Sequence, residues 1–172
     1  MNQNEPLLPL KIAVLTVSDS RTLADDTSGQ VFVDKLNTAG HQLAEREIVR
    51  DDKYQIRAVL SKWIAAENID VVLTTGGTGV TGRDGTPEAV TPLLDKVIEG
   101  FGETFRQLSF RDIKTSTIQS RAIAGVANAT YIFCLPGSSG ACRTGWDEII
   151  QAQLDMRTKP CNLVMLIPRL KE

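Results

Sequence analysis

Three short runs of apolar and β-branched residues constrain this chain most: Ile12–Val17, Val71–Thr75 and Tyr131–Leu135. Each is continuous rather than alternating, the pattern of a strand buried on both faces. Helical patterns lie between them. Within Tyr54–Glu67, the residues Ile56, Val59, Leu60, Trp63 and Ile64 share one helical face. Another helix is expected to begin near Thr27–Ser28, bury Val31, Phe32 and Leu36, and stop at Gly40. A third takes Thr86 as N-cap and Pro87 at its first position, where a missing N–H costs nothing. Pro92 should bend it. Ala141–Leu154 forms a late helix that Gly145 weakens, and Leu43–Val49 suits a further strand. Asn162–Leu170 reads either as a last strand or as an interface segment. Strands alternating with helices predict an α/β fold: a single three-layer domain with a mostly parallel central sheet flanked by helices.

In such sheets ligands bind beyond the carboxyl ends of the strands. All three runs end in small, polar, turn-forming residues: Ser18-Asp19-Ser20, the stretch after Thr75, and Pro136-Gly137-Ser138-Ser139-Gly140. Composition narrows what the site can do. Hydrophobic residues make up 42% and charged residues 23% of 172, as in soluble globular proteins. A net charge of −2 argues against a duplex nucleic-acid binder, which needs a basic surface. The apolar runs are too short to span a bilayer. Residues 1–9 are polar and broken by proline, so they read as a flexible tail before a domain at 10–172, and the expected location is cytoplasmic. Cys134, Cys142 and Cys161 lack metal-ligand spacing, and Cys134 reads as a buried reduced thiol. His41 is the only histidine, which leaves no material for a His pair and almost none for a Ser–His or Cys–His dyad.

The stretch Leu73–Pro87 carries Gly76, Gly77, Gly79, Gly82 and Gly85, interleaved with hydroxyls and an Arg-Asp pair. Five glycines in ten residues make poor scaffold but a good loop for surrounding an anion such as phosphate. The segment Gly77–Gly82 fits G-x-G-x-x-G, yet the third glycine does not open a helix, as a dinucleotide fold requires. Gly77–Arg83 also approaches a P-loop, but Arg83-Asp84 replaces the Lys and hydroxyl on which that loop depends. Asp84 has two readings: a turn residue before glycine, or a magnesium ligand beside phosphate. A carboxylate alone would repel phosphate, which favours an intervening cation.

At this loop the chain resembles the MoaB/MogA family of molybdenum cofactor biosynthesis proteins. Thr75-Gly-Gly-Thr-Gly79, Arg83-Asp84 and Thr86-Pro87-Glu88-Ala89 carry the likeness. Ile12–Asp19, Asp26-Thr-Ser-Gly29, Gly100-Phe-Gly-Glu103, Ser120-Arg121 and Leu135-Pro-Gly-Ser138 follow in the same order, and Ser116–Ala127 is similar to the B branch. The resemblance implies a molybdopterin-binding-like fold assembled as trimers or hexamers. The implied activity is adenylylation of molybdopterin with Mg2+ and ATP, its terminal phosphate attacking the α-phosphate and releasing pyrophosphate. Such chemistry needs positioning and charge neutralisation more than a covalent nucleophile.

By the same resemblance, Thr75, Gly76, Gly77, Thr78 and Gly79 hold pterin or nucleotide phosphate, and Asp84 acts through magnesium. Asp51 matches a second acidic position, although Asp51 or Asp52 also suits the N-cap of the helix near Tyr54. Ser18 and the loop Asp26, Ser28 and Gly29 belong to the implied binding residues, with N-capping an equal account of Ser28. Ser120 and Arg121 match a Ser-Arg pair suited to phosphate. Glu103 matches a pocket acid, or is a solvated first-turn residue. Pro136, Gly137 and Ser138 line the opposite wall or make a plain turn. A non-catalytic molybdopterin-binding or carrier protein is the alternative function, and a nucleotide-binding oxidoreductase a distant third.

Overall fold

Alternate residues along each central strand face two separate cores. Ile12 and Val14 pack with Val71, Leu73, Phe133 and Leu135 on one side of the sheet. Ala13, Leu15 and Val17 pack with Val72, Ile132 and Cys134 on the other. This double burial is why the runs are continuous rather than alternating. The computed structural model describes residues 6–172. In chain order its strands are β1 (Lys11–Val17), β2 (Gln42–Val49), β3 (Val71–Thr75), β4 (Lys96–Val97), β5 (Ile123–Ala127) and β6 (Thr130–Leu135). The longer helices are α1 (Thr27–Thr38), α2 (Lys53–Ala65), α3 (Thr86–Val90), α4 (Glu99–Ile113) and α5 (Ser139–Gly145). Residues 1–5 of the expected tail lie outside the described residues; Leu10 is already buried.

The six strands run β2-β1-β3-β6-β5-β4. β2, β1, β3 and β6 are parallel, whereas β5 pairs antiparallel with β6 and β4 antiparallel with β5. Phe32 and Leu36 of α1, Phe101 and Phe105 of α4, and Trp146 and Ile150 after α5 cover one face. Ile56, Leu60 and Trp63 of α2, with Ala89 and Val90 of α3, cover the other. A buried side chain of this size contributes about 2 kcal/mol, so the two cores hold the sheet between its helices. Because β2 and β3 leave β1 in opposite directions, a crevice opens between the carboxyl ends of β1 and β3.

Several local expectations are corrected. Gly85, not Thr86, is the N-cap of α3, and Pro87 falls within its first two positions. Pro92 ends the α-helical turns, leaving a 3-10 turn at Thr91–Leu93. The late helix begins at Ser139 and passes after Gly145 into a π-turn, Trp146–Ile150. The strand reading of Asn162–Leu170 fails: Val164–Arg169 is 3-10 helical. β5 carried no expectation, and the first-turn reading of Glu103 is corrected: α4 starts at Glu99, which is the acidic residue of its first turn, and Glu103 lies beyond it. A two-residue hairpin joins β5 to β6 through Asn128 and Ala129, at φ +46° and +65°. No helix among the described residues is long and apolar enough to cross a membrane.

Candidate functional site

β3 delivers the chain into the crevice at Thr75, and the backbone then turns through two left-handed residues. Gly76 has φ +107° and Gly77 φ +66°. A Cβ on Gly76 would lie 2.1 Å from the Val17 carbonyl oxygen, and one on Gly77 would lie 2.7 Å from an Asp51 carboxylate oxygen. Gly79 is held by contact rather than by φ, its missing Cβ falling 2.7 Å from Asp84 Oδ2. The Gly76 N–H donates to the Leu135 carbonyl at 3.0 Å, tying the loop to the end of β6. Its carbonyls are pinned in turn. Thr86 Oγ1 donates to Gly76 O at 2.8 Å and the Thr86 N–H to Gly77 O at 3.0 Å. The Arg121 N–H donates to Thr78 O at 2.9 Å, and Arg121 Nε to Gly79 O at 2.6 Å.

Two carboxylates flank this loop. Asp84 Oδ2 accepts from the Thr81 hydroxyl at 2.6 Å and the Thr81 N–H at 2.8 Å. The Thr81 hydroxyl, with the N–H groups of Thr81 and Gly79 and the charge of Arg121, outweighs burial and holds Asp84 below the usual carboxylate range. Asp51 Oδ1 accepts from the Gly85 N–H at 3.0 Å. Burial pushes Asp51 upward, helped by the charges of Asp84 and Asp19 and opposed by Gly85 and Arg83. Asp52 caps α2, accepting from the N–H groups of Tyr54 and Gln55 at 2.9 Å each, so Asp51 is released from that role. Across the mouth, Arg83 donates to Asp19 at 2.5 Å while Asp19 accepts from the Asp51 N–H at 3.3 Å.

Among the described residues no three His, Cys, Asp or Glu side chains form a ready metal cage. Magnesium does not need one. It keeps several waters and takes one or two carboxylates together with substrate phosphates. Asp51 and Asp84 fit that use: both offer hard oxygen donors, and a cation would offset the burial that chiefly raises Asp51 and the smaller repulsion from Asp84. They are the residues that would hold Mg2+.

Other anticipated residues fall into three groups. Asp26 is buried and turned inward: it caps α1 and pairs with Arg46 at 3.0 Å, while its Oδ1 accepts from Ser28. Gly29 lies beneath it, where a Cβ would sit 2.1 Å from Asp26 Oδ2. These three shape the β1–α1 loop. Ser18, at the end of β1, accepts from the Arg21 N–H at 3.2 Å. On the β6 side Thr75 Oγ1 donates to Pro136 O at 3.0 Å, a Cβ on Gly137 would lie 3.2 Å from Gly76 Cα, and Ser138 caps α5. Pro136 and Ser138 line a cavity of about 200 Å³ with Phe105 and Ser120. Ser120 and Arg121 also border a cleft of about 460 Å³ with Pro87, Glu103 and Arg106. Ser120 Oγ is buried without a hydrogen-bond partner. Glu103 is exposed on that cleft, within α4. Burial pushes the thiols of Cys134 and Cys142 up to about 12, so neither is a nucleophile. Asp19 and Glu88 were not expected as site residues, although each lies in a stretch that carries the resemblance, and Thr86, expected only as an N-cap, instead holds the loop carbonyls of Gly76 and Gly77.

Residues 13–156 match a family model described as a probable molybdopterin binding domain. The chain is 56% identical over 155 residues to molybdenum cofactor biosynthesis protein B of Escherichia coli strain K12, covering 90% of this chain and 91% of that one. A solved structure of a molybdenum cofactor biosynthesis protein B superposes with a TM-score of 0.85 at 44% identity, covering 87% and 94% of the two chains. The tungsten cofactor synthesizing protein MoaB from Pyrococcus furiosus superposes at 0.79, with 33% identity over 95% and 98%. With sequence and fold agreeing over most of its length, the chain belongs to the family of probable molybdopterin binding domains that includes molybdenum cofactor biosynthesis protein B.

Proposed function

We propose that this protein works in molybdenum cofactor biosynthesis, binding molybdopterin and adenylylating it with magnesium-ATP. One observation carries the reading: a glycine loop with four consecutive carbonyls engaged by the protein lies between two carboxylates at the switch point of the sheet. Family membership supports the pterin, since the matching model is described as a probable molybdopterin binding domain. In the proposed reaction an oxygen of the pterin phosphate bonds to the α-phosphorus of ATP, and the bond from that phosphorus to the bridging oxygen breaks. Pyrophosphate departs with the electron pair. With the N–H groups of Gly76 and Gly79 taken by the Leu135 carbonyl and by Asp84, the loop would bind and orient phosphate through the N–H groups of Gly77 and Thr78, which concentrates the two reactants in one geometry. Bound at Asp51 and Asp84, Mg2+ would supply neutralising charge for the phosphates. Asp84, kept ionised by Thr81, is the carboxylate most committed to that role.

The same loop supports binding without turnover, because Arg121 is engaged by loop carbonyls and by Glu88. We also propose that the protein assembles as a trimer or hexamer. The experiment that separates the chemical readings is incubation with molybdopterin and magnesium-ATP, followed by assay of pyrophosphate and adenylylated pterin. Product above a protein-free blank is expected. Asp84→Asn should lower it about a hundredfold, the scale of one lost electrostatic group in an active site. Pterin binding with no product would leave the carrier reading in its place.

A further inference from the structure

An anion cradle works only if its donors face the ligand and its acceptors do not. Carbonyl oxygens carry partial negative charge, and a glycine-rich loop is free to turn them either way. Here the carbonyls from Gly76 to Gly79 each accept a hydrogen bond from the protein: those of Gly76 and Gly79 from the side chains of Thr86 and Arg121, those of Gly77 and Thr78 from the backbone N–H groups of the same two residues. Arg121 adds a fifth carbonyl, donating from Nη2 to Asp84 O at 2.8 Å. Its remaining arm, Nη1, meets Glu88. A guanidinium suits this work because its donors are fixed in one plane, whereas a lysine ammonium is a single point.

We propose that Arg121 is a positioning residue: its guanidinium holds the carbonyls of Gly79 and Asp84 away from the phosphate, beside the Thr78 carbonyl that its backbone N–H already holds, and it is not itself a phosphate ligand. The claim rests on the reading of the glycine loop as a phosphate site, and it alters the role expected for the Ser120-Arg121 pair. Glu88 supports it, since a carboxylate on the guanidinium balances the charge that a phosphate would otherwise meet. The two ends of the clamp lie on different elements. Arg121 sits just before β5 and the loop just after β3, so the contact fixes the loop against the antiparallel half of the sheet.

The test uses the full chain as Arg121→Gln and Arg121→Lys. Amide hydrogen exchange across residues 76–85 of the free protein should rise in both, about tenfold or more, as expected when a local opening loses its hydrogen bonds. Affinity for magnesium-ATP, measured by calorimetry, should fall about tenfold in both and agree within about twofold, because the fork rather than the charge is lost. Unchanged loop exchange in Arg121→Gln would overturn the proposal. So would a lysine variant that keeps most of the affinity lost by glutamine, the signature of a charge touching phosphate. If Arg121→Gln fails to fold, Arg121→Lys, which keeps stem and charge, decides alone. If wild type binds no magnesium-ATP, the proposed function fails, while exchange in the free protein still upholds or overturns the clamp.

Discussion

Gly76 shows how much of the loop is decided by one missing atom. Its φ of +107° is one that residues with a Cβ rarely adopt, and the Cβ would press on the backbone of β1 at Val17. Backbone against backbone leaves nothing flexible to yield. Gly76→Ala should therefore destabilise the protein by about 3 kcal/mol in urea unfolding, combining backbone strain with overpacking. Gly82 is the control: a Cβ there meets nothing within 4 Å, so Gly82→Ala should stay within about 0.5 kcal/mol of wild type. Equal effects at the two positions would refute this account of the loop. The comparison also shows what the sequence could tell. Five glycines marked the loop but did not rank themselves, because ranking needs φ and the identity of the neighbour. Asp51 and Asp52 pose the same difficulty in another form. Adjacent aspartates have equal capping preference, and it takes the extended backbone of Asp52, φ −130° and ψ 120°, and the N–H groups of Tyr54 and Gln55 on its carboxylate to show which one caps α2.

At the scale of elements, Asp26 joins three of them. It caps α1 through the Gly29 N–H at 2.9 Å, accepts from Thr16 of β1 at 2.7 Å and pairs with Arg46 of β2. Removing one partner of a buried pair leaves the other uncompensated, so Asp26→Ala should cost about 3 kcal/mol. Burial alone would raise this carboxyl, but the Gly29 N–H, the Thr16 hydroxyl and Arg46 outweigh it and hold it below its ordinary value. Its contribution is thus complete above the unfolded carboxylate value and is lost as pH falls through the lower folded one. Urea midpoints taken down that acid range should drop less steeply in Asp26→Ala than in wild type; parallel curves would remove Asp26 from the acid response. The parallel half of the sheet was legible because its strands are buried on both faces. The antiparallel half was not. β5 reads Ile-Ala-Gly-Val-Ala, too small and mixed to announce a strand, and its hairpin turns on Asn128-Ala129 rather than Asn-Gly. α4 hides Phe101 and Phe105 behind Gly100 and Gly102, which weaken its helical pattern.

For the whole molecule, the unresolved balance is apolar surface beside the site. Phe110 and Ile113, one turn apart on α4, are 50% and 51% exposed, and Ile118 in the following 3-10 segment is 78% exposed. Ile113 borders the cavity next to Pro136 and Ser138, and Ile118 borders the larger cleft next to Arg121. Ser120, with its unpartnered hydroxyl, is common to both. Large apolar side chains clustered on a surface mark contact with another molecule more often than a solvated face. A second copy of the chain would cover this surface, in agreement with the trimer or hexamer proposed above. Closed symmetry then requires the mass in solution to be a whole multiple of the subunit, three or six times, when measured by light scattering. Ile118→Asp should shift that mass toward one subunit, because a charge at an interface core is desolvated without a partner. A wild-type mass of one subunit at micromolar concentration would leave the patch exposed in solution and the assembly refuted.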